Sequence, residues 1–323
     1  MNDFSGKLAV VTGGGSGIGR ALVQELSAAG CHIASCDLDM SALEETRSVA
    51  LAKAPAGTRI SLHHCDVSNE AAVATFAEEA LSAQDTEHFN LLINNAGIAG
   101  GGSFITDDRA QWDKTFGVCW TGVYNCCRHF LPLLINSTEG HVVNISSVNG
   151  FWACMTPGFP HTAYSAAKFA VKGFSEALLI DLRLHAPHVG LSVVMPGHIG
   201  TSIAINARTS HGITSPLEMS VEEVAEIRES MTRLDAAAEQ LGDDEIRQIL
   251  HEQGENFRDN APTTPEQAAS TILNGVKAGQ WRIFVGDDAV GMDAMVRQDP
   301  ENAYSVDFFE RMQAKGIFDR ISL

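Results

Sequence analysis

The chain predicts an α/β fold, a doubly wound parallel sheet with helices on both faces. Two observations carry this. Short β-rich apolar runs alternate with stretches of helical length through the first two hundred residues. Those runs, such as Leu8-Ala9-Val10-Val11 and Leu91-Leu92-Ile93, are apolar without alternation, as strands covered on both faces require. The strand–helix repetition itself implies a parallel sheet with right-handed crossovers and helices on both sides. Strands are expected at 7–12, 32–36, 59–65, 90–94, 141–146 and 190–195, with Ala- and Leu-rich helices at 18–29, 41–52 and 70–82 between the first of them.

After Thr201 the texture changes. Residues 221–260 hold twelve acids and four arginines, with Val224, Ile227, Met231 and Leu234 at helical spacing. One or two solvent-facing amphipathic helices are expected there rather than a second domain. A further helix starts near Thr264-Pro265-Glu266, where Thr caps and Pro suits the first turn. A strand at 281–285 extends the sheet edge. The tail carries Phe308, Phe309 and Phe318 without a clear period. The organisation read from this is one domain over 1–323: a core over 1–201, a helical lid over 202–262, and a helix, edge strand and tail over 263–323.

Composition narrows the function. With 45% apolar and 19% charged residues among 323, the chain has ample material for a core. Forty acids against 22 bases give a formal charge of −18. Such a surface repels phosphate backbones and anionic headgroups, which disfavours nucleic acid or a membrane as partner. The N-terminus lacks the basic start and apolar run of a secretion signal, and no stretch is long and apolar enough to span a membrane. Seven cysteines, an odd number without a C-x-x-C pair, argue against disulfides or a zinc site and suit a reducing cytoplasm. No metal is expected. His63-His64-Cys65-Asp66 cannot converge on one, because successive strand residues face opposite ways. His185 and His188 suit a helix end, where imidazoles stabilise terminal carbonyls.

The strongest local signal is Thr12-Gly13-Gly14-Gly15-Ser16-Gly17-Ile18-Gly19, which follows the first strand and opens the first helix. Glycines let the backbone turn sharply and approach a pyrophosphate, whose charge the helix N-terminus stabilises. The spacing is G-x-x-x-G-x-G rather than G-x-G-x-x-G, so the strand–turn–helix context carries the assignment. Asp37 ends the second strand, eighteen residues beyond Gly19. A carboxylate there accepts from adenosine ribose hydroxyls and repels a 2′-phosphate, and no Lys or Arg lies at 14–17 or 36–40 to receive one. NAD is therefore expected over NADP. The plainer reading is that Asp37 or Asp39 caps the next helix. Tyr164 and Lys168, at i and i+4 on a helical pattern, share a face. A fixed cation beside a phenol favours its ionised form, as proton exchange with an alcohol oxygen requires.

Taken together, these motifs resemble the classical short-chain dehydrogenase/reductase family, from about residue 5 to 201 and less clearly to about 290. Besides the glycine stretch and Tyr164-x-x-x-Lys168 stand Asp66-Val67, Asn94-Asn95-Ala96-Gly97, Asn144-Ile145-Ser146-Ser147 and Pro196-Gly197-His198-Ile199-Gly200-Thr201, each at a strand's carboxyl end. The resemblance implies a Rossmann-type sheet and an oxidoreductase that interconverts a secondary alcohol and a ketone. By it, Gly13, Ser16, Gly17, Ile18, Gly19 and Asp37 hold NAD, Asp66 and Val67 the adenine, and Ile199 and Thr201 the nicotinamide. Asn95 lines the cleft. Ser147 polarises the substrate oxygen, and Tyr164 is the acid–base. Lys168 binds the ribose and lowers the phenol's pKa. The resemblance also implies a homodimer or homotetramer, with Phe169, Phe174 and Leu178 serving core or interface.

Two departures stand out. Cys119-Trp120-Thr121-Gly122 replaces the family's N-x-x-G, and a thiol is a weak donor and acceptor for the proton relay that the asparagine serves. A redox role for Cys119 needs an exposed, electropositive setting. The interval from Ser147 to Tyr164 is seventeen residues and carries Phe151, Trp152, Met155 and Phe159, which points to a larger apolar wall and a bulky hydrophobic substrate. The competing function is a degenerate NAD-binding sensor or interaction protein, for which Cys119 and the acidic C-terminal segment speak. A serine hydrolase is disfavoured because G-x-S-x-G is absent. An extended-type epimerase is disfavoured by the glycine spacing.

Overall fold

The computed structural model describes residues 1–154 and 160–317. Its strands are β1 (Leu8–Thr12), β2 (His32–Asp37), β3 (Ile60–His64), β4 (Leu91–Asn94), β5 (Gly140–Ile145), β6 (Val189–Pro196) and β7 (Arg282–Val285). They form one sheet in the order β3-β2-β1-β4-β5-β6-β7, with every neighbouring pair parallel. Each end lies within one residue of its expected position. The order reverses between β1 and β4, and this switch point opens a crevice at the strands' carboxyl ends.

The helices are α1 (Gly17–Ala28), α2 (Met40–Leu51), α3 (Glu70–Gln84), α4 (Arg109–Phe116), α5 (Gly122–Ile135), α6 (Thr162–His185), α7 (Asn206–Ser210), α8 (Val221–Leu234), α9 (Asp243–Asp259), α10 (Pro265–Lys277), α11 (Asp287–Gln298) and α12 (Val306–Ala314). Successive strand residues face opposite layers. Val11 and Ile93 meet Leu22, Leu26, Ile272 and Leu273 of α1 and α10. Val10 and Leu92 meet Phe76, Phe130 and Leu178 of α3, α5 and α6. Both faces are dry, which is why the strand sequences do not alternate. As expected, Thr264 caps α10: its hydroxyl accepts from Gln267 N–H at 3.2 Å, and Pro265 holds the first turn.

Three expectations are corrected. The two acidic helices α8 and α9 form, but their apolar faces pack on each other around Met219, Val224 and Ile246, with Ile227, Met231 and Leu250 at the margin. The lid therefore spends its apolar face on its own core. The tail holds α11 and α12, which the sequence reading left without structure. Their core positions are few, Ala289, Met292 and Met295 in α11 and Phe308 and Met312 in α12, too short a series to stand out in the sequence. Those residues bury Trp152, and Phe151 packs at the edge of the same cluster, so this part of the apolar insertion is no substrate wall. Met155, Phe159 and Phe318 lie outside the described residues. Of the three residues expected to serve core or interface, Leu178 is core, Phe174 is half-buried and Phe169 is 42% exposed. No helix among the described residues is long and apolar enough to cross a membrane.

Phe308 is 1% exposed, with its ring 5.9 Å from that of Trp152. Truncation to Ala leaves a cavity under the tail and should cost about 3 kcal/mol in urea unfolding. A loss below about 0.5 kcal/mol, the range of an ordinary surface change, would show that the tail is not part of the core.

Candidate active site

The site is built at the carboxyl ends of β1, β2, β4, β5 and β6. Between β1 and α1 the chain turns with Gly13 at φ +67° and Gly17 at φ +52°. A Cβ on Gly19 would fall 2.0 Å from Gly13 O, so only glycine lets the loop fold onto the helix start. Ser16 is the N-cap of α1 but makes no side-chain cap bond, and no acid occupies the first turn. The helix's first N–H groups thus face the crevice without a protein anion, which fits a pyrophosphate. Ile18 packs inward on the core.

Asp37 and Asp39 divide the two roles considered for them. Asp39 Oδ1 accepts from Ala42 N–H at 3.0 Å and caps α2. Asp37 Oδ2 accepts from Gly15 N–H at 2.8 Å, while its Oδ1 accepts from Asp39 N–H at 3.1 Å. The carboxylate therefore sits against the glycine loop, with lone pairs beyond those two bonds for a ribose. Arg20, the basic residue nearest in sequence to the loop, donates to Gly15 O at 3.0 Å and pairs with Glu45 at 2.9 Å. Asp66 Oδ1 accepts from Ser68 N–H and its hydroxyl at 2.9 and 2.7 Å, fixing the turn after β3. Val67 is buried, and Asn125 Nδ2 donates to its carbonyl at 3.0 Å.

Asn95 does something the sequence reading did not assign. Its Nδ2 donates to Thr12 O at 2.9 Å and Gly13 O at 3.2 Å, so its amide braces the glycine loop. Across the crevice, Ile199 forms a parallel bridge with Thr263, and the Thr201 methyl lies 3.1 Å from where a Cβ on Gly17 would stand. The loop after β6 therefore closes on the loop after β1.

Ser147, Tyr164 and Lys168 converge. Ser147 is 8% exposed at the end of β5, and its Oγ accepts from Asn149 N–H at 3.1 Å, leaving its own proton to donate elsewhere. Tyr164 and Lys168 occupy the first turns of α6, with the ammonium 5.4 Å from the phenol ring centre. Lys168 is 3% exposed and donates to Ile145 O at 2.9 Å, so it is held before any ligand arrives. Ser146 Oγ donates to Lys168 O at 2.8 Å and fixes α6 against β5. The phenol's titration departs from expectation. Burial pushes its pKa above the ordinary value and outweighs the opposing pull of the Lys168 charge and the bond to Ser147.

Cys119 is fully buried in a π-helical turn over Gly117–Thr121, and its Sγ donates to Ile98 O at 3.3 Å. That enclosure removes the exposed setting a redox nucleophile needs. The sequence reading also missed the strap at Gly101-Gly102. Gly101 O accepts from Ala163 N–H at 3.1 Å, and Gly102 O accepts from Thr162 N–H at 2.9 Å. These carbonyls satisfy the opening donors of α6 and thereby seat Tyr164. The signal was present in the three consecutive glycines 100–102, of which Gly100 and Gly101 have positive φ. His63 bonds Ser61 Oγ at 3.0 Å and Glu79 at 3.3 Å. No group of three potential ligands is placed to hold a metal among the described residues. His185 meets Asp181, and His188 meets Ile135 O, as structural residues.

Comparison with known proteins agrees with this geometry. The family model described as short chain dehydrogenase matches residues 7–212. SadH of Mycobacterium tuberculosis, named as an oxidoreductase, is 36% identical over 297 residues, covering 92% of each chain. A short-chain dehydrogenase/reductase from Burkholderia phymatum, solved with NAD, is 27% identical with a TM-score of 0.73, covering 93% of this chain and 96% of its own. A metagenomic short-chain oxidoreductase, solved with NADP, is 34% identical with a TM-score of 0.53, covering 60% and 83%. The sheet order, the glycine turn, the convergence of Ser147, Tyr164 and Lys168 and these matches agree, and the chain belongs to the short-chain dehydrogenase/reductase family of oxidoreductases.

Proposed function

We propose that the protein interconverts a secondary alcohol and a ketone with NAD. The observation that carries this reading is the convergence of a serine hydroxyl, a phenol and a buried ammonium beside a glycine turn shaped for a pyrophosphate. Gly13, Ser16, Gly17, Ile18 and Gly19 hold the pyrophosphate, and Asp37 the adenosine ribose. Asp66 and Val67 flank the adenine, Ile199 and Thr201 the nicotinamide. Asn95 acts by holding the glycine loop in shape. When bound, NAD supplies the hydride acceptor.

The chain's own residues handle the proton. Ser147 donates to the substrate oxygen and fixes it near Tyr164 Oη. In reduction the phenol gives its proton to that oxygen as negative charge develops there. In oxidation the phenolate, which the Lys168 charge favours, takes the alcohol proton and becomes the neutral phenol. Lys168 would also bind the nicotinamide ribose. The substrate is neutral: a surface of charge −18 disfavours carboxylates and phosphates at the entrance. Trp152 and Phe151 pack under the tail and lend substrate bulk no support.

NAD is preferred because Asp37 meets the 2′ position while Arg20 is engaged by Gly15 O and Glu45. NAD should bind at least tenfold tighter than NADP, about 1.4 kcal/mol, by calorimetry. Asp37→Asn keeps an acceptor for Gly15 N–H and should narrow the gap through charge alone. Equal affinities in the unaltered protein would overturn the assignment.

The raised phenol pKa sets a direction with pH. A protonated phenol is the form needed for reduction, so ketone turnover should hold level through neutral pH and fall only as the phenol ionises. Alcohol oxidation needs the phenolate and should climb steadily on the alkaline side. Lys168→Met removes the charge that opposes burial, and should move the oxidation profile upward by about one pH unit or more. Oxidation insensitive to pH in both proteins would exclude Tyr164 as the base. NAD binding without turnover on any secondary alcohol would favour the sensor reading.

A further inference from the structure

The tail helices touch the site at two places that no catalytic role explains. The first is the loop after β6. Asp288, in the first turn of α11, accepts from His198 N–H through Oδ2 at 2.7 Å. A Cβ on Gly197 would fall 2.1 Å from the same oxygen, so carboxylate and loop are in intimate contact. Asp288 Oδ1 is buried without a hydrogen-bond partner. His198 also contacts Phe257 O through Nε2 at 2.7 Å; because a carbonyl only accepts, Nε2 carries the proton. Ile199 and Thr201 follow directly.

The second place is the turn after Ser147. Trp152 is 1% exposed, and its Nε1 donates to Ala303 O at 2.7 Å. Ala153 N–H donates to Tyr304 Oη at 3.0 Å. Val148, adjacent to Ser147, shares one apolar cluster with Trp152, with Ala289, Met292 and Met295 of α11, and with Phe308 and Met312 of α12. Asp293 of α11 pairs with Arg282 of β7, which anchors that cluster to the sheet edge. The two contacts are thus joined through one packed unit. Packed units of this kind shift between discrete arrangements rather than deform continuously.

We propose that α11 and α12 form one positioning body that couples the Ser147 turn to the 197–201 loop, with Trp152 and Asp288 as its two positioning residues. The proposal rests on the dehydrogenase reading for its consequence, since Ser147 faces the substrate and Ile199 and Thr201 face the nicotinamide in that reading. The coupling itself is a property of the protein without ligand.

Hydrogen exchange of the full chain, followed by mass spectrometry, tests it together with NAD calorimetry. Asp288→Ala should speed exchange across 197–201 at least about fivefold and weaken NAD by a similar factor, the lower end of ordinary coupling. Asp288→Asn keeps an acceptor for His198 N–H and should stay within about twofold of the unaltered protein, provided thermal melting shows both variants folded. Trp152→Phe keeps an aromatic ring but loses the bond to Ala303. It should speed exchange at 148–153 and also at the remote 197–201 loop. A Trp152→Phe effect confined to 148–153 would overturn the proposal, as would unchanged exchange at 197–201 in Asp288→Ala. Failure of the unaltered protein to bind NAD would instead count against the dehydrogenase reading, and the exchange data would still decide the coupling.

Discussion

Thr12 Oγ1 accepts hydrogen bonds from two consecutive backbone N–H groups, those of Asn95 and Ala96, each at 3.0 Å. The rest of the site depends on this knot. It joins the end of β1 to the turn after β4 at the point where the sheet order reverses. Asn95 then returns two bonds to Thr12 O and Gly13 O, so the glycine loop is held from behind by the strand across the crevice. A loop with several glycines loses more conformational freedom on ordering than other loops do, and these bonds offset that cost. The front of the loop, with the uncapped start of α1, stays clear for an anion.

The same economy appears at the reacting end. Lys168 is buried beside Tyr164, and an ammonium out of water needs partners. Ile145 O supplies one, and the phenol ring lies within cation–π reach. Under the proposed function, holding the charge in place this way removes reorganisation from the reaction, as a fixed environment does when it stabilises developing charge. The cost is visible at Tyr164, where enclosure favours the neutral phenol more strongly than the neighbouring cation opposes it.

Much of this was legible in the sequence because local rules coincide with the fold. Leu8–Thr12 and Leu91–Asn94 read as strands since both faces are dry, and the glycine turn reads as a turn since only glycine fits. The misreadings share another cause. Trp152, the apolar faces of α8 and α9, and the tail aromatics were each recognised as apolar, but apolarity does not say which neighbour is buried. Trp152 meets Phe308, more than 150 positions away in the chain, a pairing set by tertiary packing alone. Cys119 shows the same limit. Its replacement of an asparagine was evident, yet its enclosure in a π-helical turn against Ile98 O depends on the backbone path. The Gly101-Gly102 strap was written in the sequence as three glycines in a row. Its partner, the first turn of α6, was not.

The central claim is that the crevice between the loops after β1 and β6 brings a hydride acceptor against the oxygen-bearing carbon held by Ser147 and Tyr164. Isotope transfer reads this most directly. The protein is incubated with NAD and secondary alcohols deuterated at the carbinol carbon, and the recovered cofactor is weighed by mass spectrometry. The account predicts reduced cofactor one deuterium heavier, with the label absent when Tyr164 is replaced by Phe. Reduced cofactor that carries no deuterium, or label transfer undiminished in Tyr164→Phe, would contradict it.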